Sequence, residues 1–338
     1  MGAIIPAKVA ESSLSHRLIE AGLTRIFQGK VRDTYQLPDF PHLLLVVATD
    51  RVSIFDFVLP ALVKDKGERL TAMTVFWLTG IFKAIRHHLI AYGSYIDRYL
   101  PSSLRGITEL RKRALVVKKV KILPIECIVR GYLTGSAWSA YQENGKVCGI
   151  SLPEGLHDGS QLPEPIFTPS TKAEAGHDEH LNEKEVIKEY SGQIKSIPLF
   201  LYETAVAFAS KKGVIIADTK FEFGAGVDII LADEVLTPDS SRFWLEEYWA
   251  ESVKKRKSPP SHDKQVVREW GKTVDTPFGM TGINNLNTEN TEHIDFVHQQ
   301  VPPEEMLNKT TDRYHEIFSL LIGCELGDFQ TGSVMNIR

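Results

Sequence analysis

GVIIADTKFEFGAGVDIILADEVLTPDSSRFW (residues 213–244) is the stretch whose reading decides the fold. An apolar run, Val214 to Ala217, passes into alternation. Asp218, Lys220 and Glu222 take every second position, with Thr219, Phe221 and Phe223 between them. In a strand, neighbouring side chains point to opposite faces, so one face carries two carboxylates and an ammonium and the other carries two aromatics. Gly224-Ala225-Gly226 supplies a turn, and a second apolar run, Val227 to Leu231, leads into Asp233-Glu234. Two such runs joined by a short glycine-containing loop predict a β-hairpin whose charged ends lie close together. Like charges facing each other on a sheet are destabilising unless something compensates, and Mg²⁺, which favours hard oxygen ligands, answers that need.

With 338 residues the chain has room for two lobes, because domains commonly run to roughly 100–200 residues. Its 43% apolar and 24% charged residues are the balance of a soluble globular enzyme. A net charge of −4 argues against bulk nucleic-acid binding. Cys127, Cys148 and Cys324 form no close pair, which points to free thiols in a reducing compartment. The N-terminus shows no basic segment followed by a long apolar core, and Pro6 stands where a myristoylation signal wants Ser or Thr. Apolar runs such as residues 43–48 are too short to span a bilayer. The expectation is a cytoplasmic protein with no membrane or nucleic-acid partner.

Outward from the hairpin, residues 13–26 read as a short helix or arm, 27–37 as a glycine-containing strand and 43–48 as a buried strand, the last two forming another hairpin. Residues 68–91 have helical apolar spacing. Residues 114–121 read as a strand and Ile122-Leu123-Pro124 as a hinge, which divides the chain into lobes 1–123 and 124–338. Beyond it come a strand (125–132), a helix (133–142), an extended loop (145–170), helices at 183–190 and 198–212, and a basic loop at 250–263. The few apolar residues over 271–300 predict an exposed insertion. Pro302-Pro303-Glu304-Glu305 opens a last helix that Gly323 can stop.

Several segments suit anions. Gly29-Lys30-Val31-Arg32 allows close backbone approach to a phosphate beside two cations, although a turn glycine before a charged strand reads the same way. Thr49 to Asp56, with Asp50 and Ser53, sets polar groups at a strand end, as binding loops and capped turns both do. Arg130 to Trp138 places an arginine, two glycines and the Ser136 hydroxyl before a helix, the makings of an anion cradle. Phe167 to Lys172 lies in a long loop. His177-Asp178-Glu179-His180 lacks the His-Glu-x-x-His spacing and any cysteine cluster, so a helix start or substrate loop is preferred to zinc. Arg242 beside two serines can hold a phosphate or carboxylate bidentately. No Walker A, G-x-G-x-x-G or G-x-S-x-G motif is present. Phosphoryl transfer, which relies on positioning and charge neutralisation, fits this inventory.

Six motifs in order closely resemble the SAICAR synthetase family: GKVRDTY (29–35), ATDRVSIFD (48–56), PIECIVRGYLTGSAW (124–138), PEPIFTPSTKAEAGHDEH (163–180), IIADTKFEFG (215–224) and ADEVLTPDSSRFW (232–244). The resemblance resumes at DKQVVREW (263–270), and the wording is most like the stand-alone fungal form. It implies an α+β fold of two lobes with antiparallel sheets around a cleft, the N-terminal lobe resembling kinases and ATP-grasp enzymes. It also implies an ATP-dependent ligase of purine biosynthesis. The carboxylate of carboxyaminoimidazole ribonucleotide (CAIR) and the amine of L-aspartate become an amide, giving SAICAR, ADP and phosphate through an acyl phosphate.

Carried onto this chain, the resemblance makes Gly29, Lys30, Val31 and Arg32 the ATP phosphate loop. Lys118, Lys119, Val120 and Ile122 become the adenine-bracketing connector, with Glu126 after it. Arg130, Ser136 and Arg242 fall near the CAIR phosphate, and Asp218 and Lys220 on the substrates. Glu222 and Asp233 lie near Mg²⁺, while Asp50, Ser53, Lys172 and Asp178 serve the CAIR and aspartate side. A monomer is expected. The rivals are a kinase-like or other ATP-grasp enzyme acting on a different carboxylate and a catalytically dead nucleotide-binding regulator. The second would lose an acidic metal ligand, yet Glu222 and Asp233 are both present.

Overall fold

In a computed structural model, which describes residues 3–172, 179–226 and 228–337, the strands run β1 (Thr24–Gln28), β2 (Arg32–Gln36), β3 (Leu43–Ala48), β4 (Arg51–Ile54), β5 (Phe57–Leu62), β6 (Leu89–Tyr92), β7 (Ala114–Lys118), β8 (Ile125–Tyr132), β9 (Lys146–Val147), β10 (Ile150–Ser151), β11 (Gln161–Phe167), β12 (Ser170–Thr171), β13 (Val214–Gly224), β14 (Ile230–Ala232) and β15 (Ser241–Leu245). One five-stranded antiparallel sheet has the order β1-β2-β3-β7-β6. A second antiparallel sheet has the order β11-β8-β13-β14, with β12 also on β8 and β15 also on β13. The strands of the first sheet all precede residue 119, and those of the second all follow 124. Helices pack against both, which is the α+β architecture expected.

β13 organises the second sheet. The hairpin forms as the alternation predicts: Glu222 pairs with Ala232 and Phe223 with Leu231, while Val227 lies outside the described residues. Val214 and Ile216 enter the core, and so do Phe221 and Phe223. Even and odd positions cannot share one face of a regular strand. The register against β15 shifts between Ile216 and Asp218, a bulge that flips the parity. Asp218, Lys220 and Glu222 are thereby set on the face opposite the two phenylalanines.

One apolar cluster runs through both sheets. It joins Met73 of the Lys66–Phe76 helix, Val117 of β7, Val129 of β8, Phe221 and Phe223 of β13, and Phe318 of the Glu304–Ile322 helix. Burying each such side chain contributes about 1.5–3 kcal/mol relative to exposure. A separate cluster packs Val52, Ile54, Phe57 and Leu59 of the β4–β5 hairpin against Val267, Ile283, Leu286 and Ile294.

Four expectations are corrected. The helical run ends early: after the Lys66–Phe76 helix comes a π-turn at Trp77–Ile81, and Leu89–Tyr92 is β6, paired with β7. Leu89 is buried in the same cluster as Met73, so the apolar signal continues although the backbone changes. The extended loop at 145–170 contains β9, β10 and β11; β11 gains its hydrogen bonds from β8, distant in sequence. The basic loop at 250–263 begins inside a helix, Glu246–Lys254. The exposed insertion at 271–300 buries Ile283, Leu286, Ile294 and Val297 under the β4–β5 hairpin. Few apolar residues suffice there because nearly all of them face one way. The three cysteines are free, as expected. No described helix is long and apolar enough to cross a membrane.

Candidate active site

Strand register decides which charges meet. Asp218 of β13 stands opposite Arg130 of β8 on one side and Arg242 of β15 on the other. Its Oδ2 accepts Arg130 Nη1 at 2.6 Å and also accepts Arg242 Nη1. Arg130 further donates Nε to Thr168 Oγ1 at 2.9 Å and Nη2 to Ser136 Oγ at 3.1 Å. A buried guanidinium needs all of these partners. Arg242 lies against Gly135, where a Cβ would meet Nη2 at 2.5 Å. Gly135 adopts φ 58°, ψ −134°, a conformation costly for any other residue. Ser136 opens the Ser136–Asn144 helix, whose first N–H groups add positive potential to the same place.

Two residues further along β13, Lys220 Nζ bridges Glu126 Oε1 at 2.9 Å and Glu222 Oε1 at 2.6 Å. Lys172 Nζ pairs with Glu222 Oε2. Burial opposes the charge on Lys220, but Glu222 and Glu126 hold its ammonium well above the ordinary value. Burial likewise opposes the charge on Glu222, yet Lys220 and Lys172 hold it below the usual carboxylate range. Across the hairpin, Arg32 of β2 reaches Asp233 Oδ2 at 2.8 Å and Glu234 Oε2 at 3.1 Å. Burial, with the like charge of Glu222, outweighs Arg32 and pushes the Asp233 carboxyl up. Asp233 adopts φ 59°, the left-handed region. The carboxylate crowding read from the sequence is present, and Lys172, Lys220 and Arg32 partly balance it.

These groups border a cleft of ≈780 Å³. Of the residues expected at a site, Lys30, Val31, Arg32, Ser53, Glu126, Ser136, Lys220 and Arg242 line it. Arg130 and Asp218 lie just behind, bonded to Ser136 and Arg242. Glu222 and Lys172 join it through Lys220, and Asp233 through Arg32. Asp50 is engaged elsewhere: its Oδ1 accepts the Gly67 N–H at 2.8 Å at the start of the Lys66–Phe76 helix and faces Arg113, and it does not line the cleft. That contact satisfies one of the free N–H groups in the first turn of the helix. Lys118, Lys119, Val120 and Ile122 form the connector between the sheets and do not line the cleft either. The connector is fastened to β13, with Ile122 bridged to Gly224 and the Leu123 N–H on Phe223 O at 2.8 Å. Asp178 and His177 lie outside the described residues.

The sequence reading passed over part of the lining. Lys264, Arg268 and Lys272, at and along the Gln265–Lys272 helix, all face the cleft. Their spacing of four was the available signal, since i and i+4 share a helix face. Burial pushes the Lys264 ammonium down to about 8, against the pull of Asp239 and with Arg268 and Lys66 adding like charge. Asp239, also in the lining, is held by Lys66 Nζ at 2.6 Å and by the Tyr314 hydroxyl. Asp158 lines the cleft as well, and among the described residues its buried Oδ1 has no hydrogen-bond partner.

Comparison with known proteins shows the family. The family model for SAICAR synthetase matches residues 25–281. The chain is 44% identical over 315 residues to a phosphoribosylaminoimidazole-succinocarboxamide synthase of Thermodesulfovibrio yellowstonii, covering 89% of this chain and 96% of that one. It is 42% identical to the protein of the same name from Schizosaccharomyces pombe, over 90% and 96% of the two chains. Among solved structures it resembles the SAICAR synthase of Saccharomyces cerevisiae complexed with SAICAR, with a TM-score of 0.75, 35% identity, and coverage of 94% of this chain and 99% of that one. With the motifs, the two-sheet fold and the charged cleft in agreement, the chain belongs to the SAICAR synthetase family.

Proposed function

We propose that this cleft joins the carboxylate of CAIR to the amine of L-aspartate at the expense of ATP, through an acyl phosphate. Family membership and the SAICAR-bound yeast relative support the substrate pair. The observation that carries the reading is the meeting, in one cleft, of the Lys30–Arg32 turn, the Glu126–Lys220–Glu222 cluster, the Arg242–Ser136 cradle and the Lys264–Arg268–Lys272 row. A nucleotide, a sugar phosphate and a dicarboxylate together bring more negative charge than a protein of net charge −4 attracts without such local concentration.

The chemistry follows from what a carboxylate lacks. Its carbon resists attack by an amine until one oxygen carries a good leaving group. A CAIR carboxylate oxygen therefore forms a bond to the γ-phosphorus as the bond to ADP breaks. The aspartate amine then attacks the acyl carbon and phosphate departs. Lys30 and Arg32 neutralise the nucleotide phosphates. Lys220, held charged by two carboxylates, serves as a fixed cation for the transferring phosphoryl oxygens rather than as a base. Arg242 and Ser136, backed by Arg130, hold the sugar phosphate. The cationic row at residues 264–272 suits the aspartate carboxylates.

Glu222 and Asp233 present hard carboxylate oxygens near the ends of paired strands, a donor set suited to Mg²⁺, which takes one or two protein carboxylates together with phosphate oxygens and water. Bound there, the ion would draw charge from the ATP phosphates. The test is a coupled ADP assay on the purified protein. Sustained ADP release is expected only when CAIR and aspartate are both supplied, with SAICAR formed in equal amount. Release that ignores either substrate would point to an enzyme acting on another acceptor.

A further inference from the structure

The turn between β1 and β2, Gly29-Lys30-Val31, can hold a phosphate only if its N–H groups are available and its carbonyls are turned away, because a carbonyl dipole aimed at an anion repels it. All three carbonyls of the turn are taken up by the protein. Arg51 Nη2 donates to Gly29 O at 2.9 Å and Arg51 Nε to Lys30 O at 3.2 Å. Thr49 donates to Val31 O through its backbone N–H at 2.9 Å and through Oγ1 at 2.8 Å. Arg51 is fixed in turn by Asp33, with Nη2 to Oδ1 at 2.5 Å and Nη1 to Oδ2 at 3.3 Å, and both side chains are 2% exposed. The Gly29 N–H closes the turn on Arg32 O at 2.8 Å. Among the described residues, the N–H groups of Lys30 and Val31 have no acceptor, and both residues line the cleft.

We propose that Arg51, locked by Asp33, is a positioning residue for the nucleotide phosphates: it gathers the carbonyls of Gly29 and Lys30 so that the N–H groups of Lys30 and Val31 are left for the anion. The proposal rests on reading this turn as the ATP phosphate loop. A guanidinium this deeply buried must pair its N–H donors in any role, so the identity of its acceptors carries the argument. This one spreads a planar fork over a carboxylate and two successive carbonyls, which a lysine ammonium cannot reproduce.

The test compares ADP with adenosine, which lacks the phosphates, by calorimetric titration of wild-type protein, Arg51→Lys and Thr49→Val, with thermal melts to establish folding. Wild type is expected to bind ADP well over tenfold tighter than adenosine. Arg51→Lys should weaken ADP about tenfold, the scale of losing one charge-assisted hydrogen bond, and leave adenosine within about twofold. Thr49→Val, which removes one of two bonds to Val31 O, should show the same selective loss at about two- to threefold. Equal losses for both ligands, or lowered stability with the ADP preference intact, would overturn the positioning role. Should Arg51→Lys fail to fold, Asp33→Asn, which loosens the hold on Arg51, takes its place, and an unchanged ADP preference there overturns the role. If wild type itself binds ADP no tighter than adenosine, the phosphate-loop reading fails first and the proposal falls with it.

Discussion

Lys264 shows how one residue's surroundings turn sequence into behaviour. An ordinary lysine stays charged at any physiological pH, but burial brings this one down to about 8. Below that pH it adds a cation to the cleft, and above it the cation is gone. The KM for an anionic substrate should therefore rise as pH passes upward through about 8. Lys264→Arg, which cannot deprotonate in this range, should flatten the rise. Parallel pH profiles in the two proteins would show that Lys264 does not set anion affinity. The stability effect has the opposite sense to that of a lysine stabilised by a partner. With the folded value below the unfolded one, the unfolded chain binds more protons between about 8 and 10.5, so this group makes the fold more stable as pH rises across that window. None of this could be read from Lys264 in the sequence. Its value comes from burial and from Asp239, Arg268 and Lys66, which the fold brings together.

At the scale of elements, β13 was largely legible. Its period-two alternation and glycine turn gave the hairpin and put Phe221 and Phe223 in the core. The bulge after Ile216 was not legible, because Val214 to Ala217 is apolar at every position and carries no parity. Leu89–Tyr92 was misread for a related reason: a short apolar run suits a helix or a strand equally until its pairing partner, β7, is known. At the site, motifs gave the residue types, whereas pairings such as Arg32 with Asp233, 201 positions apart, exist only in the folded chain. Asp50 lies on the Gly67 N–H and near Arg113, a placement the sequence did not show because a capping aspartate and a binding aspartate look alike at a strand end. Gly135 shows how one element seats another. Gly135→Ala would strain a left-handed backbone and press on the Arg242 guanidinium. It should cost about 1–3 kcal/mol of stability in a denaturant melt, and it should raise the KM for CAIR more than the KM for ATP. Kinetics unchanged from wild type would separate Arg242 from CAIR binding.

At the scale of the whole molecule, one apolar cluster couples the two sheets, and the cleft takes its walls from many parts of the chain. The 271–300 segment supports the β4–β5 hairpin from beneath, and that hairpin supplies Ser53 to the lining. Lys30 reaches across to Asp56 of the same hairpin at 2.6 Å, which ties the phosphate turn to it. The proposed passage of a phosphoryl group from nucleotide to carboxylate would take place between these walls. The most direct measurement follows the oxygen. With CAIR labelled by ¹⁸O in its carboxylate and turned over with ATP and aspartate, the released phosphate should carry one labelled oxygen per molecule of SAICAR formed. Phosphate that emerges unlabelled while SAICAR accumulates would contradict transfer to the carboxylate.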